Sequence, residues 1–190
     1  HVDSVTLVRG EAGCGKTQRL IDNVRNLLAC GADPSSVLAI CATPDAADAF
    51  AKRLGSDKVR VTHPRRLAME LLDRPEAIAL FGHGPRVLMP FEEDVLFEDL
   101  KTSGVEVGRI EGMLAFFKRS MTEISDDHPD FLMDDDERAV MERLRTGLRL
   151  RGAFLKEQLS ANAARYLVAS GDAVRYTHML VDDWQCLSRA

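Results

Sequence analysis

At 190 residues the chain is the size of a single domain with room for a large insertion. Its 45% hydrophobic and 29% charged residues can build a core without disulfide or metal staples, which excludes global disorder. A net charge of −5 excludes a polycation, so any contact with nucleic acid must use a local basic surface.

Val5 to Val8 (VTLV) is a short, mostly apolar, β-branched run ending at a glycine-rich turn, which predicts a strand buried on both faces of a parallel sheet. From Lys16 the period becomes helical, with Leu20, Val24, Leu27 and Leu28 on one face, and Gly31 and Pro34 stop it. Val37 to Cys41 (VLAIC) predicts a second buried strand. Thr43-Pro44-Asp45 then opens a helix over about 46–54, Lys58 to Thr62 reads as a third strand, and a helix follows from Pro64 to Leu72. Alternating strands and helices imply an α/β fold around a parallel sheet.

After about Pro85 the rhythm changes. Segments 91–101, 108–121, 134–148 and 152–169 read as helices, with loops near Gly104 and from Ser125 to Pro129. Strand character returns only at Tyr176 to Val181 (YTHMLV). The expected organisation is a nucleotide-binding core of residues 1–85 and 170–190, interrupted by a helical insertion over 86–169. The acidic patch Asp134 to Glu137 reads as a charge-favoured helix start rather than a metal cluster, because adjacent carboxylates on a helix point in different directions. The arginine-rich stretch from Arg138 to Arg151 is open to three readings: a solvated helix face, a basic lid, or a contact for nucleic-acid phosphates.

The cysteines Cys14, Cys30, Cys41 and Cys186 form no CxxC pair and show no metal-ligand spacing. Cys30 and Cys41 lie among apolar residues and read as reduced core residues, a usage that suits the cytoplasm. No run approaches the roughly 18 apolar residues of a membrane span, and no charged-then-apolar leader opens the chain. His1 is not a natural start, so residues before it are expected. His63 and His83 read as plain loop histidines.

Gly10-Glu11-Ala12-Gly13-Cys14-Gly15-Lys16-Thr17 fills every position of G-x-x-x-x-G-K-[ST]. Its four fixed positions would arise by chance in roughly one chain of this length per hundred. Glycines let such a loop curl so that successive N–H groups form an anion nest, and the helix that follows presents its positive end to phosphates. Lys16 is expected to reach the β- and γ-phosphates of a nucleoside triphosphate, and the Thr17 hydroxyl to bind Mg²⁺. Gln18 completes the expected nucleotide-binding set. A site of this kind also needs a carboxylate that holds Mg²⁺ through its water shell and a group that orients the attacking water. HMLVDD supplies both, with Asp182 on the metal side and Asp183 on the water, the alternative being an acidic turn after a strand.

Four blocks together resemble the N-terminal part of superfamily 1 DNA helicases of the UvrD/Rep type: GEAGCGKT, CATPDAADAFAKRL, VRVTHPRRLAMELL and HMLVDDWQCL. They are similar in turn to the family's phosphate loop, motif Ia, motif Ib and V-D-E-[FY]-Q-D. The resemblance implies a RecA-like P-loop NTPase core with a helical insertion subdomain. It implies ATP and Mg²⁺ as cofactors, Lys16, Asp183 and Gln185 as catalytic residues, and single-stranded DNA contacts at Thr43, Pro44, Thr62 and His63. Three positions depart from the pattern. The family's second acid is Glu where Asp183 stands, its final Asp is replaced by Cys186, and motif Ib lacks the aromatic between Thr62 and His63. The family completes its motor with a second RecA-like domain, an expected partner in the same or another chain, and without it the chain is expected to grip nucleotide weakly and not to unwind DNA. Two other functions fit the residues: a stand-alone P-loop kinase acting on a small molecule, and a degenerate nucleotide-binding module used for protein interaction.

Overall fold

The computed structural model describes residues 4–120, 134–171 and 176–187, so the loop expected at Ser125 to Pro129 lies outside them. The described residues form two compact units, one from 4–64 with 176–187, the other from 65–120 with 134–171.

The first unit is α/β. Its central strand β1 (Val37–Ile40) runs parallel to β2 (Arg60–Thr62) on one side and to β3 (His178–Val181) on the other. Val37, Leu38 and Ala39 are all buried, as a continuous apolar run in the middle of a parallel sheet requires. Helices α1 (Lys16–Ala29) and α2 (Pro44–Leu54) bury Ile21, Val24, Ala47, Phe50 and Leu54 with Val37, Ala39 and Cys41. The start of α2 follows from its sequence. Thr43 is extended and its Oγ1 accepts the Ala46 N–H at 3.2 Å, Pro44 takes the first helical position, and Gly55 at φ 72° closes the other end.

Two expectations fail in this unit. Val5 to Val8 is irregular chain that joins no strand, with Val5 84% and Leu7 48% exposed. Four residues carry no ladder of their own and become a strand only where another strand's backbone groups receive them. In the sheet, ordered β2-β1-β3, none of the three strands pairs with Val5 to Val8. Cys30 is not a core residue either: it caps α1 and is exposed, whereas Cys41 is buried. All four cysteines are free.

The second unit is helical: α3 (Pro64–Leu72, whose first residue belongs to the first unit), α4 (Pro75–Phe81), α5 (Pro90–Lys101), α6 (Val107–Ser120), α7 (Asp135–Arg151) and α8 (Gln158–Ser170). Leu96 and Leu100 of α5, Ile110 and Phe117 of α6, and Val140 and Leu144 of α7 share one core. A second core joins Ala68, Leu71 and Leu72 of α3 and Ala77 of α4 to Leu159, Ala163 and Tyr166 of α8. The apolar faces of α3 and α4, which the change of rhythm near Pro85 groups with the α/β part, are therefore buried among the later helices. Helix α4 has no counterpart in the sequence reading, although Pro75 at its first position and Gly82 at φ 81° after it are ordinary helix punctuation.

The acidic patch starts α7. Asp134 accepts the Glu137 N–H at 2.9 Å, and Glu137 reaches back to the Asp134 N–H at 3.2 Å, a reciprocal capping box. Arg109 also pairs with Asp134, and no cluster able to hold a metal ion occurs among the described residues. Helix α7 runs on to Arg151 and α8 begins only at Gln158, because Gly152 turns left-handed at φ 55° and the chain then extends to pair Phe154 with Val87. His83 packs on Phe154 with ring centroids 4.3 Å apart and donates from Nδ1 to the Gly84 carbonyl, so it is no plain loop residue. Among the described residues no helix is long and apolar enough to cross a membrane.

Candidate functional site

In a parallel sheet the crevice beyond the carboxyl ends of the strands is where ligand groups gather. Here Ile40 stands opposite both Thr62 and Val181, so Cys41, His63 and Asp182 all follow at one edge of the sheet. The ladder extends one step further, with the Cys41 N–H on the Thr62 carbonyl at 2.9 Å and the Asp182 N–H on the Ile40 carbonyl at 2.8 Å.

The glycine-rich loop reaches the same edge. Gly13 (φ 78°) and Gly15 (φ 85°) take the left-handed backbone that only glycine adopts without strain, and Gly15 is the cap of α1. A Cβ on Gly10 would collide with Cys14 Sγ, so a side chain there requires the cysteine or the loop to shift. Lys16 Nζ donates to the carbonyls of Gly10 at 2.9 Å and Glu11 at 2.7 Å, which holds the ammonium across the mouth of the loop. Glu11, Ala12 and Cys14 are exposed along it.

Thr17 Oγ1 donates to Asp182 Oδ2 at 2.8 Å. Asp182 is 7% exposed and pairs with no lysine or arginine among the described residues. A buried carboxylate without a cation is costly, and a hydroxyl and a carboxylate oxygen side by side are the all-oxygen donor set that a hard cation such as Mg²⁺ takes. The next residue differs. Asp183 is exposed, with φ 51° and ψ 42°, and opens a short 3-10 turn over Trp184–Cys186. Gln185 Nε2 donates to Asp183 Oδ1 at 3.3 Å, and Trp184 between them is 55% exposed.

Not every expected residue faces this cluster. Gln18 is bound into a surface network instead: its Nε2 donates to Asp22 at 2.8 Å and its Oε1 accepts from Arg53 of α2 at 2.6 Å. Thr43 and Pro44 are exposed, with the Thr43 hydroxyl capping α2. Thr62 is 3% exposed, its hydroxyl on the His63 carbonyl at 3.5 Å, and His63 is half-buried.

One neighbour escapes the sequence reading. Cys41, one residue beyond β1, is buried, and burial pushes its thiol up to about 11, with the Asp182 and Asp183 carboxylates adding to the shift. The thiol is therefore neutral and forms an uncharged floor beside the two acids. The signal available in sequence was positional: Cys41 ends the strand between the other two, so it had to stand beside the residue that ends β3.

Compared with protein families, residues 1–167 match the model described as UvrD/REP helicase N-terminal domain. That span contains the glycine-rich loop and stops short of Asp182 and Asp183. A search of curated proteins gave no match.

Proposed function

The chain belongs to the UvrD/REP helicase N-terminal domain family, and from that premise we propose that its α/β unit is the Mg-ATP site of the motor. The observation that carries this reading is the bond from Thr17 to Asp182, which ties the phosphate-type loop to a buried acid at the sheet edge.

Residue by residue, the loop from Gly10 to Gly15 offers its N–H groups to the phosphates, and Lys16 leaves the Gly10 and Glu11 carbonyls to meet the terminal phosphate oxygens. Thr17 and Asp182 would hold Mg²⁺. When bound, the ion would supply neutralisation of the charge that builds on the transferred phosphoryl group. Asp183, exposed beside the buried pair, orients the attacking water.

In the complete motor the same sheet edge carries DNA. Thr43 and Pro44, exposed after β1, are the better placed of the proposed contacts to single-stranded DNA, while Thr62 and His63 shape the floor beneath them. A second RecA-like domain, in this chain or another, closes over the nucleotide and is required for unwinding. The helical unit is an insertion into the RecA-like core. The protein works in the cytoplasm.

Calorimetry with Mg-ATP tests the reading. The chain is expected to bind, and Lys16→Ala to lose at least about tenfold in affinity, in keeping with the charge-assisted contacts removed. Equal binding by both proteins would place the nucleotide elsewhere, and no binding by either at millimolar nucleotide would sink the proposal.

A further inference from the structure

Two 3-10 turns in the α/β unit are each preceded by an aspartate, and the two aspartates are used differently. Before the turn at Pro34–Ser36, Asp33 has φ −65° and ψ 119°, and its carboxylate caps the turn, accepting the Ser35 N–H at 3.0 Å and the Ser35 hydroxyl at 2.6 Å. This is the ordinary use of an aspartate at such a place. Before the turn at Trp184–Cys186, Asp183 is left-handed and its carboxylate caps nothing. Among the described residues it is the only non-glycine residue with positive φ. Strained backbone of this kind persists where surrounding structure fixes it, and it concentrates at working sites.

The left-handed turn has two consequences. It leaves Asp183 exposed, while Asp182, still in line with β3, makes the buried contact with Thr17. It also keeps the Asp183 carboxylate away from the N–H groups of its own turn, so that the Gln185 side-chain amide at 3.3 Å is what holds it. Aspartate is among the few side chains that accept this backbone region, and it has one torsion fewer to fix than glutamate.

We propose that Gln185 is a positioning residue for Asp183, and that aspartate stands at 183 because the left-handed turn selects it. The proposal rests on the reading of Asp183 as the acid that orients water at the Mg-ATP site. Gln185 then acts on hydrolysis through Asp183 alone. It holds a short carboxylate at one place above the sheet edge, where a misplacement of about 1 Å costs on the order of a hundredfold in rate.

The test is a double-mutant cycle on the full-length protein, with a structural readout beside it. Gln185→Ala and the isosteric Gln185→Glu, which lacks the amide donor, are each expected to lower kcat by roughly ten- to a hundredfold while KM for ATP moves less than about twofold. In an Asp183→Ala background the same substitutions are expected to change kcat no further. In the nucleotide-free protein, the side-chain amide resonance of Gln185 should shift when Asp183 becomes Asn. An equal fall in kcat in both backgrounds, or an amide that ignores Asp183→Asn, overturns the positioning role while nucleotide binding stays intact. Loss of the parent reading looks different: the wild-type protein then shows no Lys16-dependent ATP binding, and the role of Gln185 falls with it.

Discussion

Thr17 and Asp182 stand 165 residues apart in the chain and 2.8 Å apart in the fold, hydroxyl on carboxylate. The contact joins the first turn of α1 to the end of β3, and it is the only hydrogen bond that the Asp182 side chain makes among the described residues. Thr17→Val keeps the shape and removes the donor, which leaves a buried acceptor unsatisfied and costs about 1–3 kcal/mol of folding stability. Asp182→Asn removes the uncompensated charge. The nucleotide-free protein is then expected to unfold at the same temperature as wild type or higher, with the added stability from Mg-ATP lost. For wild type that addition is expected to be about 2.7 kcal/mol at a hundredfold excess over Kd. Thermal unfolding of both variants with ATP, with and without Mg²⁺, checks this. An Asp182→Asn protein that still gains Mg²⁺-dependent stability would remove the carboxylate from the metal site.

Gly10 is constrained by a single atom. An added Cβ would meet Cys14 Sγ, while Cys14 Cβ lies at an ordinary 3.7 Å. Gly10→Ala is expected to weaken ATP binding by on the order of tenfold, since Cys14 or the loop must shift to relieve the overlap. Adding Cys14→Ala removes the sulfur and should restore most of the affinity. Calorimetry on the single and double variants decides, and a double variant as weak as the single one would show that Gly10 is needed for its backbone conformation and not for space.

The parts of the site that were legible in sequence are those fixed by local chemistry. The spacing from Gly10 to Thr17 specifies both a loop and a charge, and Thr43-Pro44 carries a helix start in its own side chains. The apolar run before Asp182 reads as a strand end wherever its neighbours lie. Parts set by distant partners were not legible. Val5 to Val8 has the composition of a strand, but pairing depends on an edge being offered. The short α4 was signalled by Pro75 and Gly82, yet its role is set by α8, far along the chain. Gln18 follows the loop directly in sequence, but Arg53 turns its side chain outward. The left-handed backbone of Asp183 has no local signature, because aspartate is common in every kind of turn.

Gly147 tests the helical unit separately. In the middle of α7 a glycine costs about 1 kcal/mol relative to alanine, so Gly147→Ala would ordinarily stabilise the helix. Here the new Cβ would collide with the Cδ1 of Leu96, which is itself 2% exposed and packed in the core that α5 shares with α6 and α7. The expected outcome is a net destabilisation of about 1–3 kcal/mol, measured by chemical unfolding, with ATP affinity unchanged. A companion Leu96→Ala substitution should make Gly147→Ala harmless or favourable. If Gly147→Ala stabilises the protein by itself, α5 and α7 do not approach as closely as these two residues require.

Cys41 links the folding of the sheet edge to pH. Its thiol is pushed from an ordinary 9.0 up to about 11, first by burial and then by the two aspartates. Below pH 9 the thiol is protonated in both folded and unfolded protein and stability does not depend on it. Between pH 9 and about 11 the unfolded chain loses the proton while the folded one keeps it, so the unfolded state gains and folding stability falls as pH rises. The expected result is a decline in unfolding free energy over that window in wild type that is smaller in Cys41→Ala, the difference between the proteins isolating this thiol from the lysines and tyrosines that titrate nearby. The same burial governs reactivity. Cys14, Cys30 and Cys186 are exposed and should react with a thiol reagent at pH 8 in the native state, with Cys41 reacting only on unfolding. Parallel pH dependence in the two proteins, or rapid reaction of a fourth thiol in the native state, would mean that Cys41 is not the neutral floor beside Asp182.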